Sequence, residues 1–143
     1  MPAWVDGKLV FYADSPPRRL MDLFSLKWSS MVLHALYHWP GQRARTGELQ
    51  RSLQGISKKM LFQTLKELEQ RGLIARHVYD VVPPKVDYRL TPLGLTFAAP
   101  IEQMYLWGLE NQAALDAMGA HLKAATDVPS DAPPSHDLSA SED

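Results

Sequence analysis

Lys58, Lys59 and Gln63 open the stretch KKMLFQTLKELEQ, and their types and spacing suit the edges of base pairs. A lysine ammonium can donate to guanine O6 and N7, and a glutamine amide can pair bidentately with adenine N6 and N7. On a helix Lys59 and Gln63 lie one turn apart, opposite a stripe of Met60 or Leu61, Leu65 and Leu68. Lys58, Thr64 and Lys66 flank them. Ser57 stands where a helix N-cap would, and its hydroxyl and the free N–H groups of the first turn can hold a phosphate. Arg43, Arg45, Thr46, Arg76 and Lys85 lie outside this helix and suit backbone phosphates, contacts that position a protein without specifying sequence.

Other chemistries find less. His34 and His38 are four apart, a spacing that can bind zinc from one helix face. No Cys, Asp or Glu stands beside them in the sequence and their neighbours are core-like, so they read as packing, with no metal and no cofactor expected. There is no Ser/His/Asp spacing with context, no Gly-rich phosphate loop and no pair of acids near a plausible cleft, so an enzyme is not expected. His77 reads as plain surface. Trp28, Trp39, Tyr105 and Trp107 read as core or interface packing, because aromatic side chains dominate such burial. With no cysteine in 143 residues, disulfides, thiolate zinc sites and thiol-based redox sensing are excluded.

The net charge of −1 conceals an asymmetry. Between Gln42 and Leu90 there are ten Lys and Arg against five Asp and Glu, whereas after Ala125 there are five acids and no Lys or Arg. A basic centre with an acidic end suggests an anionic partner. No apolar run approaches the ~20 residues of a membrane span, and the first residues lack the basic-then-apolar order of a signal peptide. The expected location is the cytoplasm.

The elements that would carry these residues follow from periodicity and punctuation. Residues 1–14, with Lys8 to Tyr12 extended, form an N-terminal arm. Ser15-Pro16-Pro17 begins a first helix, about Pro17 to Leu26, with Leu20, Leu23 and Phe24 on one face. Lys27 to Trp39 is a second, with Trp28, Val32, Leu36 and Trp39 in line, and Pro40-Gly41 stops it. Gln42 to Arg45 reads as a basic loop. Thr46 caps a short helix, Gly47 to Leu53, and Gln54-Gly55 breaks it. Ser57 caps the next, Lys58 to Gln70, which Arg71-Gly72 ends. Leu73 to Tyr79 and Val86 to Leu90 alternate as strands around a proline-bearing tip. Thr91 caps a long helix in which Pro100 should cause a kink or a restart. Residues 126–143 read as an acidic, disordered tail after a domain spanning 15–125.

This order predicts a mainly α fold with a small β-hairpin. The short helix, the turn at Gln54-Gly55-Ile56 and the helix from Lys58 make a helix-turn-helix, whose second helix would enter a major groove. The hairpin is a wing beside it. A basic first turn is mildly disfavoured by the helix macrodipole, which leans towards a functional reason for it. The expected function is a sequence-specific DNA-binding transcriptional regulator, a repressor, acting as a homodimer on a pseudo-palindromic operator. The alternative is a winged-helix protein-docking module without specific DNA binding, since fold alone does not settle function. The last helix carries more apolar surface than one small domain can cover, and a two-fold pairing would bury it. On the helix that Thr91 caps, the expected interface is Ile101, Met104, Tyr105, Leu115 and Met118. A small-molecule effector is kept as an additional partner.

Four separated stretches carry a resemblance: Lys27-Trp28 with Leu36; Gly55-Ile56-Ser57 through Lys59-Met60-Leu61 to Arg76; Val82-Pro83-Pro84 to Gly94; and Trp107-Gly108. In order and spacing the chain resembles the HxlR-type regulators from about Ser15 to Asn111. The resemblance implies a homodimeric winged helix-turn-helix transcription factor, paired by its first and last helices, which adds Leu20, Leu23 and Phe24 to the expected interface. It also implies that the helix after Ser57 lies in the major groove, with Val81 to Lys85 as the wing tip. Two departures stand out. Ser25-Leu26 replaces the Gly-Gly often found before Lys-Trp, and Ser15 stands where several members carry a sensing cysteine.

Overall fold

The computed structural model describes residues 3–127. The chain divides into two compact units, one running to Tyr105 and one beginning at Leu106. The first opens with a two-stranded antiparallel hairpin, β1 (Ala3–Val5) and β2 (Lys8–Val10). Asp6 and Gly7 join the strands with φ of 48° and 72°, as a tight hairpin turn requires. The single extended arm expected here is therefore a hairpin, and Asp6-Gly7 was its signal.

Helices α1 (Pro16–Phe24) and α2 (Lys27–His38) follow. Ser15 takes the N-cap conformation of α1 without a side-chain capping bond. Beyond α2 and a short 3₁₀ turn, Arg43–Arg45 forms strand β3 rather than the loop expected. It joins β4 (Ile74–Tyr79) and β5 (Lys85–Leu90) in an antiparallel sheet ordered β3-β5-β4. The pairings Ala44–Tyr88 and Ile74–Leu90 set its register and put those four residues on one face. Helix α3 spans Thr46–Ser52; its N-cap is Arg45, not Thr46.

Helix α4 (Lys58–Gln70) has the bounds and the cap that its sequence predicts, with the Ser57 hydroxyl accepting from the Met60 N–H at 3.0 Å. Gly55, at φ 89°, supplies the left-handed turn between α3 and α4. The buried stripe of α4 is Leu61, Thr64, Leu65 and Leu68. These residues pack with Val32, Leu33 and Leu36 of α2, Leu49 of α3, and Leu53, Ile56, Leu73, Ile74 and Tyr88. Fully buried leucines of this kind each contribute about 2–5 kcal/mol against truncation to alanine.

Thr91 ties the last helix of this unit to the sheet. Its N–H donates to the Leu73 carbonyl at 3.1 Å, its hydroxyl donates to the Gly72 carbonyl at 2.7 Å, and the same hydroxyl accepts from the Gly94 N–H at 3.0 Å. Helix α5 spans Pro92–Glu110 and continues through Pro100. The carbonyl that Pro100 leaves without an N–H belongs to the exposed Thr96, where solvent can satisfy it. The interruption falls instead at Asn111 (φ −115°, ψ 31°), whose side-chain amide donates to the Trp107 carbonyl at 2.8 Å. Helix α6 then runs Gln112–Thr126. The expected single long helix is thus two. Residues 128–143 of the proposed acidic tail lie outside the described residues.

Candidate nucleic-acid interface

The burial of Leu61, Leu65 and Leu68 decides what α4 presents to solvent. Lys59, Phe62, Gln63 and Lys66 are exposed away from that stripe, and Lys58 is exposed at the first turn, above Leu61. Thr64 is not among them. At 3% exposure it belongs to the core stripe, three residues after Leu61, and its side chain is unavailable to DNA. Phe62, 44% exposed one turn before Lys66, is the residue that sequence reasoning missed. A phenylalanine on this face can contact a thymine methyl. Gln63 donates to Glu67 Oε1 at 3.4 Å and would exchange that weak bond for a base. Ser57 accepts from the Met60 N–H, which leaves its own O–H free to donate to a phosphate.

The basic residues outside α4 separate by sheet face. Arg43 and Arg45 flank the buried Ala44 and are both exposed on β3. Their partners in the ladder are Arg89 and Asp87, and Lys85 follows on the same face of β5. Arg76 is paired with Tyr88 and so sits on the opposite face of the sheet, exposed near the hairpin. Thr46 is half-buried at the start of α3. The five expected phosphate contacts are therefore distributed over two sheet faces and a helix end.

A polar network fixes the wing. Tyr79 donates its hydroxyl proton to Asp87 Oδ2 at 2.6 Å, Arg89 Nε donates to Asp87 Oδ1 at 3.2 Å, and Arg89 Nη2 donates to the Tyr79 oxygen at 2.9 Å. Asp87 is only 5% exposed. Burial pushes its carboxyl up, but the hydrogen bonds from Tyr79 and Arg89, together with the Arg89 charge, hold it below its ordinary value. A carboxylate depressed in the folded state adds stability that is complete above its unfolded pKa, 3.8, and is lost as pH falls through the lower folded value. Asp87→Asn should therefore be less stable than the parent at pH 7. The gap should narrow as pH drops below about 4, read as Tm against pH. A constant gap across the titration would remove the carboxylate's charge from the account.

Of the residues expected to pair two copies, Met104 and Tyr105 are exposed at the end of the first unit, and Leu20, Leu23 and Phe24 are half-buried. Ile101, expected at the interface, is 6% exposed and lies in the core, which leaves it no surface to offer a partner. In the second unit Leu115 and Met118 are exposed, with Trp107, Leu109 and Leu122, and α6 has no buried residue.

A family model described as HxlR-like helix-turn-helix matches residues 23–116. The HTH-type transcriptional regulator YkvN of Bacillus subtilis is 44% identical over 82 residues, covering 57% of this chain and 67% of that protein. The redox regulator HypR in its reduced form superposes with a TM-score of 0.64 at 36% identity, over 72% of this chain and 99% of that one. The reduced form of the transcriptional regulator YodB from B. subtilis gives 0.57 at 32% identity, over 66% and 90%.

Proposed function

Because the chain belongs to the HxlR-like helix-turn-helix family of transcriptional regulators, we propose that it is a homodimeric repressor of a pseudo-palindromic operator. The observation that carries this reading is the exposed row Lys59, Phe62, Gln63 and Lys66, with Lys58 at the first turn, on a helix whose stripe of Leu61, Thr64, Leu65 and Leu68 is buried. Lys59, Phe62 and Gln63 read bases. Ser57, Lys58, Lys66, Arg43, Arg45, Thr46, Arg76 and Lys85 serve phosphates. Repression requires only that the operator be occupied.

Pairing is supported by the apolar residues that α6 and the end of α5 leave exposed, which an isologous interface would cover. Two recognition helices would then meet successive major grooves about 34 Å apart. No helix among the described residues is long and apolar enough to cross a membrane. HypR is described as a redox regulator, but with no cysteine here any signal is read without a thiol, such as by a small-molecule effector. Sedimentation equilibrium should give twice the chain mass, and nuclease footprinting should give two protected half-sites one helical turn apart. A monomer protecting a single half-site would refute the dimeric part of the reading.

A further inference from the structure

Helix α2 places His34 and His38 one turn apart, and α5 brings Glu102 against both. In the sequence no carboxylate stands beside these histidines; the fold supplies one from 64 residues away. His38 Nε2 lies 2.6 Å from Glu102 Oε2, and His34 Nδ1 lies 3.5 Å from the same oxygen. One ligand atom from each of the three residues falls within 4.8 Å of the others.

A hydrogen bond alone accounts for His38 and Glu102. It does not account for His34. Its Nδ1 is buried and has no hydrogen-bond partner, although it is directed at the carboxylate. An unprotonated Nδ1 there faces another lone pair, and a protonated one is too far for a sound bond. Leaving a buried polar atom in that condition is costly. Tyr105 packs on the His34 ring at 4.6 Å and His38 packs edge-on at 4.7 Å, which fixes the ring's direction.

We propose that His34, His38 and Glu102 hold one divalent transition-metal ion of the zinc class. Two imidazoles and a carboxylate are a donor set that suits Zn²⁺ and, less tightly, Co²⁺. With bonds of about 2.0–2.1 Å, tetrahedral ligands stand about 3.3 Å apart. The His34–Glu102 spacing already matches, and the His38–Glu102 pair opens when the metal replaces the shared proton. His34 and His38 line an open, largely apolar hollow of about 660 Å³ with Met31, Met104 and Tyr105, from which a further ligand could reach the ion. Ser30, whose buried hydroxyl also lacks a partner, lines the same hollow. Bound metal would pin α5 to α2.

The test uses the full chain, stripped with a chelator and titrated with Co²⁺. One equivalent per chain should give visible d–d absorption, and Zn²⁺ should displace it. His34→Ala and Glu102→Gln should each weaken binding more than about a hundredfold. That exceeds the roughly ten- to hundredfold cost of losing a group that only orients a ligand. His77→Ala should leave binding unchanged. Glu102→Gln preserves size, so it decides the matter if His34→Ala melts early by circular dichroism. Absence of the absorption, or equal Co²⁺ affinity in the parent and Glu102→Gln, would overturn the proposal.

Discussion

Replacing Lys59 and Gln63 together by alanine should reduce specific operator binding by about 10²- to 10⁴-fold while changing binding to unrelated DNA far less. Each good side-chain pairing with a base edge discriminates by about 1–3 kcal/mol, and both residues stand on the exposed side of α4 with no core role. Phe62→Ala should add a smaller loss, confined to sites with a thymine at the contacted step. Lys85→Ala, at the wing, should weaken specific and unrelated DNA about equally and flatten the salt dependence by about one ion. Competition titrations against both DNAs separate these outcomes. Proportional losses in all three variants would break the division between reading and positioning residues.

Gly94→Ala should cost more than 3 kcal/mol or prevent folding altogether. A Cβ on Gly94 would collide with the Leu73 carbonyl oxygen and stand 2.9 Å from its carbon and 2.8 Å from Leu90 Cδ1. Overpacking of flexible side chains typically costs about 1–3 kcal/mol. Here the obstacle is backbone just before β4, held by the Thr91 N–H bond to that same Leu73 oxygen. Relief would require α5 to leave the sheet and break the bonds Thr91 makes to Leu73 and Gly72. Urea unfolding measures the loss. A Gly94→Ala protein within 1 kcal/mol of the parent would mean that α5 approaches the sheet less closely than described.

What was legible in the sequence was local. Helix α4 could be bounded to the residue because Ser57 caps it, Gly55 and Gly72 punctuate it, and its leucines repeat at helical spacing. The wing was legible from alternation around Pro83-Pro84. What escaped was set by distance or by a change of role. Strand β3 is three residues long and exists only through its pairing with β5. Thr64 is polar yet buried, because at three residues from Leu61 it shares that face of the helix. Phe62 is apolar yet exposed, so a reading that assigns apolar residues to the core passes over it. Glu102 meets His34 and His38 only through the fold, and no spacing rule along the chain could have joined them. Of the kink or restart that Pro100 implies, no restart occurs: the carbonyl it orphans belongs to the exposed Thr96, and the helix continues to Glu110.

The central claim is that the solvent face of α4 reads a specific DNA sequence. Fluorescence anisotropy with DNA from upstream of the protein's own gene, against a scrambled duplex, at several salt concentrations, tests it most directly. The account predicts tight binding to the native fragment alone, falling steeply with salt, by roughly 10³-fold between about 50 and 200 mM for some six phosphate contacts. Weak binding of equal strength to both duplexes at every salt concentration would contradict it and favour a winged helix that docks on protein.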